Sequence, residues 1–188
     1  LSIARVLAES RQQPERVEEL ISRGIVLLKQ EAGKNKGEGI FYDNNIYDLA
    51  LIDAITDGFE TALEKMQSWS PQENIYSIYA FLTKEYAAKG KGGEETIRTI
   101  EKVDLSEYQR AYSLLGVISS ADVVLKKEIL IDYADKVLTY IREKVIDYTN
   151  VRDMIPKLIE NLLSKSAIET AKLFMPYWQE PEISDRGH

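Results

Sequence analysis

"IYDLALIDAITDGFETALEKMQ", residues 46–67, is the stretch that decides the fold class. Its large apolar residues recur every three or four positions, which is the spacing of one face of an α-helix. The same spacing returns in most other segments, and no segment alternates apolar and polar residues between hairpin turns. The sequence therefore predicts an all-α fold, a multi-helix bundle without a sheet. The stripe consists of Leu49, Ile52, Ile55, Phe59, Leu63 and Met66.

The second half of the chain is predicted to hold the central helix. Asp104 or Ser106 is expected to start one helix, with an interruption around Gly116 and "SSAD", 119–122. Residues 121–148 form the longest predicted helical stretch, and their apolar face is unusually wide. A wide apolar face is typical of a helix that packs on several neighbours. We therefore expect Leu138 on this helix to lie at the centre of the bundle.

The length of 188 residues, with 44% of them hydrophobic, suits one compact domain. The predicted domain spans residues 1–175, with flexible joints at 33–45 and 89–95. Residues 176–188 are expected to form a frayed acidic tail. No apolar run approaches the roughly 20 residues that cross a bilayer, and the N-terminus does not resemble a signal peptide. We expect a cytoplasmic protein with no membrane partner.

Two glycine-lysine stretches stand out in a chain of formal charge −7, "GKNKGEG" at 33–39 and "EYAAKGKGGEET" at 85–96. One interpretation is a solvated linker, because glycine leaves the backbone loose and lysine keeps it hydrated. The other interpretation is a set of mobile cations that meet phosphates or an acidic partner. The lysines concerned are Lys34, Lys36, Lys89 and Lys91.

The residues needed for most enzyme chemistry are missing. Cysteine is absent, and the one histidine is the last residue, His188, so neither a cysteine nucleophile nor a Ser-His-Asp triad is available. The stretch "GKGGEET" lacks the Lys-Ser/Thr pair and the preceding strand of a phosphate-binding P-loop. We expect a protein that is not an enzyme and that needs no cofactor.

One face of the helix at 46–67 carries four carboxylates. Aspartates one turn apart can share a Mg²⁺ ion, but no second acidic cluster faces these four. A solvated acidic face is the main interpretation, and contact with a partner's basic patch is another. We expect no metal site, and the weak candidates for one are Asp53 and Asp57. The four carboxylates belong to Asp53, Asp57, Glu60 and Glu64.

Several tyrosines recur at helical spacings, and they allow two interpretations. Aromatic faces can stack on unpaired bases, whereas tyrosines at such spacings also line helical cores with the hydroxyl at the edge. The core position is the expected one. The tyrosines concerned are Tyr76, Tyr79, Tyr86, Tyr108 and Tyr112.

The order of the first segments carries a resemblance to a known family. "LSIARVLAES", "PERVEELISRGIVLLKQ", a glycine-lysine gap and "NNIYDLALIDAITDGFETALEKM" precede a long helical remainder. In this order the chain resembles the helical small subunit of a CRISPR interference complex. It is most similar to the C-terminal helical portion of the type I-D large subunit, which can be made separately by internal translation. The resemblance covers residues 1–175 and lies in the pattern of segments, without a diagnostic motif.

The resemblance implies a non-catalytic subunit of an antiviral defence complex, present in several copies beside other protein subunits. Such a subunit supports the guide–target duplex and the displaced DNA strand, so RNA and DNA are implied partners. Its family binds nucleic-acid backbones through basic surface, and the charge of −7 departs from that pattern. The best local basic candidates are Arg16 with Arg23, and Lys126 with Lys127.

Two other functions remain open at the level of sequence. A helical bundle can serve as a protein–protein scaffold or adaptor, of archaeal or viral origin, without touching nucleic acid. A carboxylate-metal enzyme built on the acidic face is the least favoured of the three.

Overall fold

The computed structural model describes residues 56–69, 76–89, 92–147, 151 and 153–178, with parts of 13–26 and 50–54. All regular structure in these residues is helical, which confirms the all-α prediction for this part of the chain. Helical residues lie within 15–26 and 50–56. Seven helices of the described chain have defined ends: α1 Phe59–Trp69, α2 Tyr76–Lys89, α3 Gly93–Lys102, α4 Glu107–Ile118, α5 Lys127–Arg142, α6 Met154–Ser164 and α7 Ile168–Phe174.

Helix α4 is the centre of the bundle. It packs against α2, α3, α5 and α6, and all eight residues from 111 to 118 are buried. Ser106 starts it with a capping box: the Ser106 hydroxyl accepts the amide hydrogen of Gln109, and the Gln109 side chain accepts that of Ser106. Tyr112 lies fully inside, with its ring 5.0 Å from that of Tyr108. The core position expected for these tyrosines is confirmed at Tyr112.

Helix α5 is shorter and less central than the sequence indicates. It covers 127–142 rather than 121–148, and its buried side chains form a single stripe. Leu138 is buried as expected, but Val124 lies in the preceding loop with 81% of its surface exposed. Because α5 keeps one face in solvent, the prediction that it is the central helix is wrong. Its buried stripe consists of Leu130, Ala134, Val137, Leu138 and Ile141.

Gly116 does not interrupt α4, contrary to the expectation from sequence; the helix ends at Ile118, so the predicted interruption is observed only at "SSAD", 119–122. Gly116 lies at a close approach of α4 and α2. A β-carbon at Gly116 would fall 2.0 Å from the carbonyl oxygen of Ala80 and 2.5 Å from Oγ1 of Thr83. The Thr83 hydroxyl donates across this contact to the carbonyl of Ser113, at 2.8 Å. Glycine is therefore needed here for close packing of two helices, and it does not act as a helix breaker.

Glycine acts as a breaker at Gly58. Its φ of +101° lies in a region that favours glycine, and it separates the helical residues up to Thr56 from α1. The continuous apolar stripe over 46–67 is thus divided between two helical pieces. The stripe predicts which residues are buried, including Ile52, Phe59 and Leu63, but it does not predict the break.

Two helices end in Schellman motifs built on residues other than glycine. Lys144 has φ +61° after α5, and Ser166 has φ +56° after α6. The amide of Val145 donates to the carbonyl of Tyr140 at 2.8 Å, and Ala167 donates in the same way to Leu162 at 2.9 Å. Each motif satisfies carbonyls at a helix end and reverses the chain.

Some residues of the joint predicted at 89–95 and of the tail predicted at 176–188 belong to helical turns in the structure. Residues 93–95, placed in a flexible joint, form the first turn of α3, and Gly93 is buried. After α7, Met175–Tyr177 form a 3₁₀ turn, and Tyr177 packs against the core. The joint at 33–45 lies outside the described residues, and the single-domain division remains a prediction. None of the described helices has both the length and the apolar character to cross a membrane.

Candidate functional site

An open acidic cleft of about 470 Å³ lies where the start of α1 meets the end of α2 and one face of α3. The rings of Phe59 and Tyr86 stack on its wall, with centroids 4.3 Å apart and planes 10° from parallel. Burial raises the pKa of the Tyr86 hydroxyl, and the nearby Glu95 carboxylate raises that pKa further. Four carboxylates and one amine surround the cleft, on Asp57, Glu60, Glu64, Glu95 and Lys102.

Three residues of the predicted acidic face thus line the cleft, Asp57, Glu60 and Glu64, and α3 adds Glu95 and Lys102. No group of three or more acidic or imidazole ligands with metal-binding spacing occurs in the part of the chain that the structure describes. The other weak metal candidate, Asp53, lies outside the described residues. The cleft combines negative charge with an aromatic wall, an arrangement suited to a cationic group.

The basic candidates of the N-terminal region share one acid. Arg16 forms an ion pair with Glu19, and Nη2 of Arg23 lies 3.2 Å from Oε1 of the same residue. All three side chains are largely exposed. Exposed pairs of this kind contribute about 0–1 kcal/mol to stability, so they can be broken at little cost. Their electrostatic effect at longer range is partly cancelled because the carboxylate stays beside the cations.

The second basic candidate pair is also engaged. Nζ of Lys126 lies 3.6 Å from Oε1 of Glu94 on α3, and Nζ of Lys127 donates to the carbonyl of Ser166 at 3.0 Å. These contacts tie the start of α5 to α3 and to the turn after α6. Of the glycine-lysine candidates, Lys89 is the last residue of α2. The side chain of Lys89, and residues Lys34, Lys36 and Lys91, lie outside the described part.

Glu101 connects three helices, α3, α4 and α5, through ion pairs. Its carboxylate on α3 accepts a hydrogen bond from Nζ of Lys136 on α5 at 2.8 Å and lies 3.4 Å from Arg110 on α4. The hydrogen bond from Lys136 raises the pKa of that lysine. Arg110 also donates to the carbonyl of Ile100 at 3.0 Å and to that of Val103 at 3.3 Å. The guanidinium therefore satisfies backbone carbonyls at the end of α3, and the ion pairs of Glu101 help to hold α3, α4 and α5 together.

Three further cations were not singled out by the sequence analysis. Arg142 and Lys144 lie at the end of α5, Lys157 lies in the first turn of α6, and none of these three forms an ion pair within the described chain. The connection from α5 to α6 places them at one end of the bundle. Exposed acids at 143, 147 and 153 lie among them, so the described residues of this connection carry no excess of positive charge.

Several exposed apolar side chains on and just after the C-terminal hairpin, α6 with α7, are not singled out by the sequence analysis either. Part of this region, from residue 176, is predicted to be a frayed tail. Its signal was present in "SAIETAKLFMPYW", 166–178, where apolar residues occupy more positions than one buried stripe needs. Ala171 and Phe174 fill the buried stripe of α7. Other apolar side chains keep 44–52% of their surface exposed; they are Leu163, Ile168, Leu173, Met175 and Trp178, here called the C-terminal apolar residues.

Fold and surface together define an all-α bundle with an ion-paired exterior and apolar side chains exposed at its C-terminal end. Comparison of the chain with known protein families, with curated proteins and with solved structures found no match.

Proposed function

We propose that the chain is a non-catalytic helical subunit that acts by binding inside a multi-subunit assembly in the cytoplasm. The observation that carries the proposal is the exposure of the C-terminal apolar residues, among them Ile168, Met175 and Trp178. Isolated apolar side chains on a surface are ordinary, but five of them within residues 163–178 favour contact with another protein. Trp and Met are also enriched at the centres of such contacts.

The assembly we propose is a nucleoprotein complex of the CRISPR interference type. The support is the resemblance of residues 1–175 to its helical small subunit. Subunits of that kind occur in several copies, so the partner proposed for the C-terminal apolar residues is a second copy of this chain. Contact with the guide–target duplex and the displaced strand is the finer part of the proposal. It depends on the lysines of the glycine-lysine stretches, especially Lys89 and Lys91.

A scaffold that touches no nucleic acid is the alternative, and the ion pairs favour it. Arg16, Arg23 and Lys126 each have a carboxylate partner within 4 Å. A phosphate that approached these cations would also approach Glu19 or Glu94. The local attraction is therefore smaller than the number of basic residues suggests.

Self-association tests the contact between copies. We compare the wild type with the double variant Ile168→Lys/Met175→Lys by sedimentation velocity over a concentration series. Burying a half-exposed side chain of this size is worth about 1 kcal/mol, so two of them contribute about 2 kcal/mol per copy. The variant should therefore dissociate at least about 30-fold more readily.

The control for this experiment is Phe81→Lys. It adds one of the two charges to an apolar residue that is 49% exposed, on α2 and outside the hairpin. Circular dichroism checks that all variants keep their helices. A wild type that stays monomeric up to about 100 µM would refute contact between copies. If Phe81→Lys weakens self-association by half as much in free energy as the double variant, the effect is one of charge alone.

A salt titration separates the nucleoprotein from the scaffold. Binding of labelled duplex and single-stranded DNA is followed by fluorescence anisotropy from about 50 to 200 mM salt. Each phosphate contact on a duplex contributes about 0.9 to the log–log slope, and about 0.7 on a single strand. Changing Lys89 and Lys91 together to alanine should lower the slope by about 1–2 without altering sequence preference.

The control for the titration is Lys172→Ala, because Lys172 is already paired with Glu169 at 2.8 Å. It should leave the slope unchanged. If the wild type shows no salt-dependent binding at about 50 mM salt, the nucleic-acid part of the proposal is wrong and the scaffold is preferred. The sedimentation experiment tests self-association independently of this titration.

A further inference from the structure

We draw no further inference here: the strongest candidate, the open acidic cleft where α1, α2 and α3 meet, is a cluster of carboxylates into which no buried, unpartnered polar side chain of the described residues points, so nothing in the structure identifies a ligand for it.

Discussion

Replacing Gly116 by alanine should destabilise the bundle, although alanine is the better helix former. The new β-carbon would lie 2.0 Å from the carbonyl oxygen of Ala80, and ordinary carbon–oxygen contacts are no shorter than about 3.3 Å. Helices α2 and α4 would have to separate by roughly 1 Å. Overpacking of this kind costs about 1–3 kcal/mol, and weakening the Thr83–Ser113 hydrogen bond adds about 1 kcal/mol. The helix propensity of alanine returns about 1 kcal/mol.

The expected net loss for Gly116→Ala is therefore about 1–3 kcal/mol, or a Tm lower by about 2–12 °C for a chain of this size. Urea unfolding followed by circular dichroism measures it. Gly93→Ala is the comparison: its β-carbon would meet side-chain atoms only, 2.3 Å from Cγ1 of Val123 and 2.6 Å from Cδ2 of Leu125, so its cost should be smaller because a side chain shifts more readily than a backbone carbonyl. Adding Thr83→Ala should not rescue Gly116→Ala, because the backbone oxygen of Ala80 remains. A Gly116→Ala protein as stable as the wild type would refute the close approach of the two helices.

Three further predictions use the same unfolding assay. Ser113→Ala should leave the free energy of unfolding unchanged or raise it by up to about 1 kcal/mol, because the buried Ser113 hydroxyl finds no partner in the described chain. A loss of stability above about 1 kcal/mol would contradict this. Lys144→Gly should stabilise by about 0.5–1 kcal/mol, since φ is +61° there. Glu143→Gly, at φ −81°, is its control and should destabilise; equal effects at both positions would count against the argument. Burial raises the pKa of the Tyr79 hydroxyl in the folded chain. The unfolded chain therefore loses the hydroxyl proton at a lower pH, and stability should fall as the pH rises above about 10. Tyr79→Phe should show a shallower fall, and an unchanged pH profile would exclude Tyr79 as its source.

The all-α class could be predicted because helical periodicity is a local property of the sequence. The segment "EETIRTIEKV" indicates α3 and "MIPKLIENLLSK" indicates α6, and both helices are observed close to those limits. The central helix could not be predicted in the same way. Burial all round α4 depends on four other helices, and Gly116 in its own sequence suggests a break when taken alone.

The candidate site was predictable to a similar extent. The acidic face at Asp57, Glu60 and Glu64 was visible as a spacing, but the cleft also needs Glu95, which the fold brings from α3. The ion pair between Lys126 and Glu94 likewise joins residues far apart in the sequence. Charges on one helix can be assigned from spacing, whereas pairing between helices requires the tertiary fold.

The enclosure of α4 by its neighbours bears on how the protein can respond to a partner. A helix buried along the eight residues 111–118 cannot unfold locally without opening the whole bundle, so its amides should exchange with solvent only through global unfolding. A partner bound at the C-terminal hairpin can therefore move the helices that surround α4 as rigid units, but it cannot transmit its effect by local unfolding of α4.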